Sequence, residues 1–194
     1  MSNEEKKALE SELNEIFNES EKLRKRRLEL LSKLGEKEID TEYNFITSDG
    51  SKKSLAELFG DQKYLFTIHN MGKHCSYCTM WADGFNDTYK YIQKKGAFVL
   101  ISPDDHDTQK EFADSRGWTF MTATPDNNEF IRDMGYSMEQ DGETYYHPGL
   151  SVFEKSDDGK IKRVTKDWFG PSDYYCNVWH FYDLLPEENI TITS

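Results

Sequence analysis

The sequence predicts an α/β protein, a three-layer α/β/α domain around a central mixed sheet with a long N-terminal helix added. Three observations carry this. Apolar runs of strand length alternate with amphipathic stretches of helix length from about residue 42 onward. The last two strand-like runs are joined by the turn Asp157-Asp158-Gly159, which makes them a hairpin. The first 34 residues hold a helical stripe and no strand signal. At 194 residues the chain fits one domain with an appendage. We divide it into a helical arm over residues 1–36, a domain over 37–187 and a loose tail over 188–194.

In the arm, Leu9, Leu13, Ile16, Leu23, Leu30 and Leu34 fall on alternating three- and four-residue steps, with Ser20 and Arg27 interrupting the stripe. Such a helix packs on its own domain or pairs with a second copy as a coiled coil. The basic cluster Lys22 to Arg27 shares the helix with glutamates, so it reads as a solvated charged face. Gly35 ends the helix, and an acidic linker leads to a strand at Glu42–Ile46. The turn Asp49-Gly50 precedes a short helix capped by Ser54 and closed by Gly60. The next strand is Tyr64–His69. A helix from Thr79 to about Lys95 puts Trp81, Phe85, Tyr89 and Ile92 on one face. Ala97–Ile101 is a buried central strand. Asp107 or Thr108 caps a helix running to Arg116, and Gly117 stops it. A strand at Trp118–Thr122 follows, then a short helix capped by Asp126 or Asn127 and carrying Phe130, Ile131 and Met134. Met138–Tyr146 reads as a polar loop, Gly149–Glu154 and Lys160–Lys166 as the hairpin. Ser172 caps a last helix with Tyr175, Val178, Trp179 and Tyr182 on one face, ended by Pro186.

The formal charge of −12 argues against nucleic acid or an anionic membrane surface as partner, because either would repel the chain at long range. No apolar run reaches the roughly 20 residues of a membrane span, and the N-terminus lacks the continuous apolar segment of a secretory signal. The expected location is cytoplasmic. Three cysteines, two of them in one C-x-x-C, suit a reducing compartment better than a disulfide framework.

That pair, Cys75 and Cys78, sits between the strand Tyr64–His69 and the helix that follows. A helix start carries unpaired N–H groups and partial positive charge, both of which favour a thiolate. Cys75 is therefore the expected nucleophile, and Cys78, one turn further on, the resolving thiol. A C-x-x-C in a strand–helix setting is a thioredoxin-like redox motif. The sequence His147-Pro148-Gly149, directly before the hairpin, stands where thioredoxin-like domains carry a cis-proline beside the dithiol, so Pro148 and His147 are expected to dock substrate and the bond is expected to be cis. His74, His69 and Trp81 are candidate supporting residues, the two histidines as proton carriers and Trp81 more as core than as platform.

From about Leu23 to Pro186 the chain resembles an uncharacterised bacterial family of thioredoxin-like proteins, a domain of unknown function related in fold to thioredoxins and peroxiredoxins. The residues that carry the resemblance are Tyr43-x-Phe45, Ser54-Leu55-x-x-Leu58-Phe59, Cys75-Ser76-x-Cys78-x-x-Trp81-Ala82-Asp83-x-Phe85, Arg116-Gly117-Trp118-x-Phe120 and Pro148-Gly149-x-Ser151-Val152-Phe153. The resemblance implies a thioredoxin fold with the dithiol at a helix start and brings no substrate. The chain departs from the pattern at His69-Asn70-Met71 and Pro103-Asp104-Asp105.

The expected function is thiol:disulfide exchange, acting on protein or small-molecule disulfides and reset by a partner dithiol. A dithiol-type peroxidase and a non-catalytic interaction protein are the alternatives. A conventional peroxiredoxin would need Thr or Ser three residues before its reactive Cys and Pro four before that; counting from Cys75 gives Gly72 and Ile68. A zinc site would need ligands beyond one C-x-x-C, and neither a second such pair nor an H-x-x-x-H exists. No metal and no organic cofactor is implied, since the chain has no dinucleotide glycine fingerprint and no phosphate loop. The arm makes a homodimer a candidate assembly.

Overall fold

The apolar runs assemble into one eight-stranded sheet in a computed structural model that describes residues 1–186. In chain order the elements are α1 (Asn3–Gly35), β1 (Lys37–Ile39), β2 (Asn44–Thr47), β3 (Lys52–Ser54), α2 (Leu55–Leu58), β4 (Tyr64–His69), α3 (Ser76–Ile92), β5 (Ala97–Ile101), α4 (His106–Arg116), β6 (Met121–Pro125), α5 (Glu129–Asp133), β7 (Ser137–Gln140), β8 (Glu143–Tyr146), β9 (Gly149–Lys155), β10 (Ile161–Trp168) and α6 (Asn177–Tyr182). The strand order is β1-β10-β9-β4-β5-β6-β2-β3. Strands β4, β5 and β6 run parallel, joined by the crossover helices α3 and α4 that parallel neighbours require, and β9 pairs antiparallel to β4. This is the mixed, helix-covered sheet that the sequence predicts.

Strand β5 shows how the sheet divides the core. Val99 and Ile101 belong to one buried cluster with Phe45, Leu65, Phe130 and Phe153. Phe98 and Leu100, pointing the other way by the two-residue period, join Cys78, Trp81, Phe85 and Trp179 in a second. Burial on both faces is what makes the run continuously apolar.

Several boundaries differ from the sequence expectation, each for a local reason. Trp118 is not in a strand: its N–H returns to Ala113 O and closes α4 over the left-handed Gly117, so β6 starts at Met121. The cap of α4 is Asp105, whose carboxylate accepts the Thr108 N–H, rather than Asp107 or Thr108. Ser172 does not cap the last helix; its φ is +66°, and α6 begins after Cys176. The stretch Met138–Tyr146 is a hairpin, β7–β8, turning on Asp141 and Gly142, both at positive φ as a tight hairpin turn demands. It is polar and exposed, so no apolar alternation announced it. The acidic linker contributes β1, an edge strand on β10. The tail 188–194 lies outside the described residues.

The second half of α1 docks on β10. Arg27 reaches both oxygens of the buried Asp167 at 2.7 and 2.6 Å, Ser32 Oγ donates to Val164 O, and Arg163 Nε donates to Gly35 O at 2.7 Å. Residues 3–20 are exposed throughout. No described helix is long and apolar enough to cross a membrane.

Gly149 opens β9 where a Cβ would meet Asp167 O and Tyr136 Cε1, a backbone atom and the ring of a buried side chain. Gly149→Ala should lower the free energy of unfolding in urea by about 2 kcal/mol or more. Gly170→Ala, where a Cβ meets nothing within 4 Å, should stay within about 0.5 kcal/mol.

Candidate active site

β4 leaves the sheet at His69, and the loop that follows is clamped before it reaches the cysteines. Asn70 N–H donates to Ile101 O at 2.9 Å, and Asn70 Oδ1 accepts the Gly72 N–H at 2.7 Å. Lys73 N–H donates to Asp104 Oδ2 at 2.7 Å. Gly72 has φ +104°, and a Cβ there would press on Asp104 Oδ1 at 2.8 Å, so glycine is needed on both counts. The two loops that depart from the family pattern are thus bonded to each other.

Cys75 is the N-cap of α3, and its Sγ accepts the Cys78 N–H at 3.0 Å. A sulfur in that position meets one of the helix's unpartnered donors and sits at the positive end of a 17-residue helix. Cys75 is half-buried, whereas Cys78 is 2 % exposed. The two Cα atoms are 5.2 Å apart and the sulfurs are within bonding reach. Behind them lies an aromatic wall: Trp81 packs on Phe169 at 5.3 Å, and Tyr77 stacks on Trp179 at 5.7 Å. Trp81 is 3 % exposed, a core residue.

His74 is exposed beside Cys75. Pro148 lies one step beyond the His69–Gly149 pair, which sets it next to the loop leading to the cysteines. The His147–Pro148 bond is trans, not cis as the sequence position suggested. His147 N–H bonds Tyr136 O, Pro148 O accepts the Phe169 N–H, and Gly149 is already paired, so the chain enters β9 extended with no turn at the proline. His147 itself is exposed.

His69 lies on the opposite face of the sheet from the cysteines. Its ring stacks on Tyr136 at 3.7 Å, and Nε2 lies 3.1 Å from Ser151 Oγ. Burial, reinforced by the charges of Arg163 and Lys166, holds its pKa well below the ordinary histidine value, so it is neutral. Burial also pushes the Tyr136 hydroxyl up to about 12.

Beside the cysteine pair, and flanked by His74 and Ser76, runs a groove of about 910 Å³ between α3, α4 and the segment leading into α6. Thr79 and Met80 form one wall, Phe112 another, Tyr175 and Val178 the third. Cys176 is in this last wall; burial pushes its thiol up, which disfavours the thiolate. At one end Asp83 accepts from Trp118 Nε1 at 2.8 Å and pairs with Arg116, so two of the motifs quoted above are one hydrogen-bonded unit. Sequence reasoning did not find the groove, because its third wall comes from a segment about 100 residues from Cys75. The only signal was the crowding of aromatics toward the C-terminus. Among the described residues no three His, Cys, Asp or Glu side chains are gathered as a metal ion would need.

The family model described as "Bacterial protein of unknown function (DUF899)" matches residues 2–188. No curated protein matches. Solved structures that resemble the chain include the peroxidoxin BcpB of Mycobacterium tuberculosis, with a TM-score of 0.56 and 17% identity over 69% of this chain and 84% of that one. PrxQ of Xylella fastidiosa gives 0.56 and 12% identity over 72% and 87%. Peroxiredoxin Q of Xanthomonas campestris gives 0.53 and 18% identity over 74% and 90%. At these identities the likeness establishes the fold, that of thioredoxin-like peroxiredoxins.

His69 supplies a pH prediction. Its folded pKa is depressed, so below pH ~6.5 the unfolded chain takes up a proton that the folded chain does not, and stability falls as pH falls. From pH 7 to 5 the unfolding free energy should drop with a limiting slope of about 1.4 kcal/mol per pH unit from this residue. In His69→Asn that part of the slope should vanish, as read from urea midpoints at each pH.

Proposed function

We propose that the chain, which belongs to the DUF899 family, is a thiol:disulfide oxidoreductase on a thioredoxin fold, with Cys75 as nucleophile and Cys78 as resolving thiol. The observation that supports this best is the Cys75 sulfur at the start of α3, accepting the Cys78 N–H, with the second sulfur in bonding reach behind it. In the forward half-reaction the Cys75 thiolate attacks one sulfur of a substrate disulfide. A mixed disulfide forms, and the other substrate sulfur leaves as a thiolate. The Cys78 thiolate then attacks Cys75 Sγ, closes the internal disulfide and releases the second substrate thiol. Two electrons pass from the protein to the substrate, and a partner dithiol returns them by the same steps in reverse. The contrast in exposure suits these roles, since the attacking sulfur must meet a substrate and the resolving one must not. In this reading His74, exposed beside Cys75, carries a proton for either step, and Pro148 with His147 borders the approach. A reducing compartment such as the cytoplasm fits a working dithiol.

A peroxidase is the second reading, favoured by the fold shared with peroxiredoxins and by the partial exposure of Cys75. There the thiolate would take the terminal oxygen of a peroxide, water or an alcohol would leave, and Cys78 would condense with the sulfenic acid, releasing water and forming the same disulfide. Gly72 and Ile68 stand where conventional peroxiredoxins have a hydroxyl residue and a proline, which weighs against it.

Titration of the thiol state against a glutathione series should show a reversible internal disulfide in the wild type and none in Cys75→Ser or Cys78→Ser. Cys78→Ser should accumulate a mixed disulfide with an added substrate, whereas Cys75→Ser should be inert. A wild type that never closes the Cys75–Cys78 bond would rule the reading out. Peroxide consumption at rates matching disulfide reduction would instead favour the peroxidase.

A further inference from the structure

We propose that two copies of this chain pair through α1 as an antiparallel two-helix coiled coil, with the acidic first half of each arm laid along the basic second half of the other. This rests on the arm alone and is independent of the chemistry at the cysteines.

The stripe Leu9, Leu13, Ile16, Leu23, Leu30 and Leu34 is between 50 % and 71 % exposed in the single chain. The domain holds the helix through Ser32 and Gly35 and, of the stripe positions, through Arg27, whose guanidinium turns to Asp167, and so leaves the apolar members of the stripe open. Residues 3–20 are exposed along their whole length, and most helical stability in proteins comes from packing an amphipathic face, which here is uncovered in the single chain. Along the second half the stripe becomes one side of a groove of about 410 Å³, formed by Leu23, Arg27, Leu30, Leu31 and Leu34 with Tyr174 opposite.

Charge selects the occupant. Residues 3–21 carry seven acidic and two basic side chains, and residues 22–35 carry six basic and one acidic. A parallel pair would set like halves side by side, whereas an antiparallel pair sets each half on its opposite. The stripe repeats every seven residues, as a two-helix seam requires. Run antiparallel, the seam places Leu9 against the partner's Leu34, Leu13 against the partner's Leu30, Ile16 against the partner's Arg27 and Ser20 against the partner's Leu23. The flanking positions then bring Glu12 to the partner's Lys33 and Glu19 to the partner's Arg26, and two-fold symmetry makes each pair twice. All four of these side chains are exposed in the single chain. The first half of one arm thereby fills the groove beside Tyr174 of the other copy.

Sedimentation equilibrium of the full chain should give twice the 22.7 kDa chain mass. Glu12→Lys/Glu19→Lys and Arg26→Glu/Lys33→Glu should each be monomeric at the concentration where the wild type is dimeric. An equimolar mixture of the two variants should return to the dimer mass, which also shows that both are folded. The fourfold exchange should form a dimer by itself. For direction, Leu13→Cys mixed with Leu30→Cys should give a 13–30 crosslink on oxidation, and Leu13→Cys alone should give none between its own copies. A wild type that stays monomeric to about 100 μM overturns the proposal. So does a dimer indifferent to both charge variants, or a Leu13→Cys protein that links to itself through residue 13.

Discussion

A helix start must find partners for N–H groups that have none within the helix, and at the start of α3 one of those partners is a sulfur. That contact fixes where the proposed chemistry would occur. It requires β4 to end at His69 in the middle of the sheet, and it requires a short loop whose path is held from both sides, by Ile101 O and by the Asp104 carboxylate. It also requires α3 to lie on the aromatic cluster, so that Cys78 is sealed while Cys75 keeps partial access to solvent. The candidate site is therefore less a property of the C-x-x-C tetrapeptide than of the central strand whose end delivers it.

Two polar ties organise what surrounds that point. Asp83 joins α3 to the end of α4 through Trp118 Nε1 and Arg116, and this fixes two walls of the groove relative to each other. Asp167 does the same for the third wall, accepting from Arg27 on the arm and from the Tyr175 hydroxyl at 2.7 Å in the segment before α6. Both carboxylates are charges with hydrogen-bonding partners in partly or fully buried settings, the condition under which buried charge is tolerated.

Features decided within a few residues were legible in the sequence. The C-x-x-C before a helix, Gly117 as a left-handed stop and the turn between the last two strands all follow from local backbone rules. The parity of β4 was legible too but easily overlooked. Phe66 and Ile68 belong to the cluster with Cys78, so His69, one residue on, must face away. What sequence alone could not settle is either a choice between near-equal neighbours or a matter of distant partners. Asp105 rather than Asp107 caps α4, a choice between neighbouring carboxylates that composition does not decide. Pro148 is trans in a segment whose backbone is engaged by Tyr136, Phe169 and His69, and none of the three is close in sequence. The hairpin β7–β8 packs little apolar surface, so its pattern of side chains carries no inside and outside.

The position of Asp167 bears on how this architecture could be shortened or recombined. The residue is only 4 % exposed, and the guanidinium that meets its carboxylate belongs to a helix outside the sheet. A chain that lost the arm would keep an anion set against a wall of the groove with a phenol and one backbone N–H as partners and no countercharge from the helix. Loss of the arm in a descendant gene would therefore select a second change at that position, to a neutral side chain or to a cation supplied from elsewhere, before the remaining domain could stand alone.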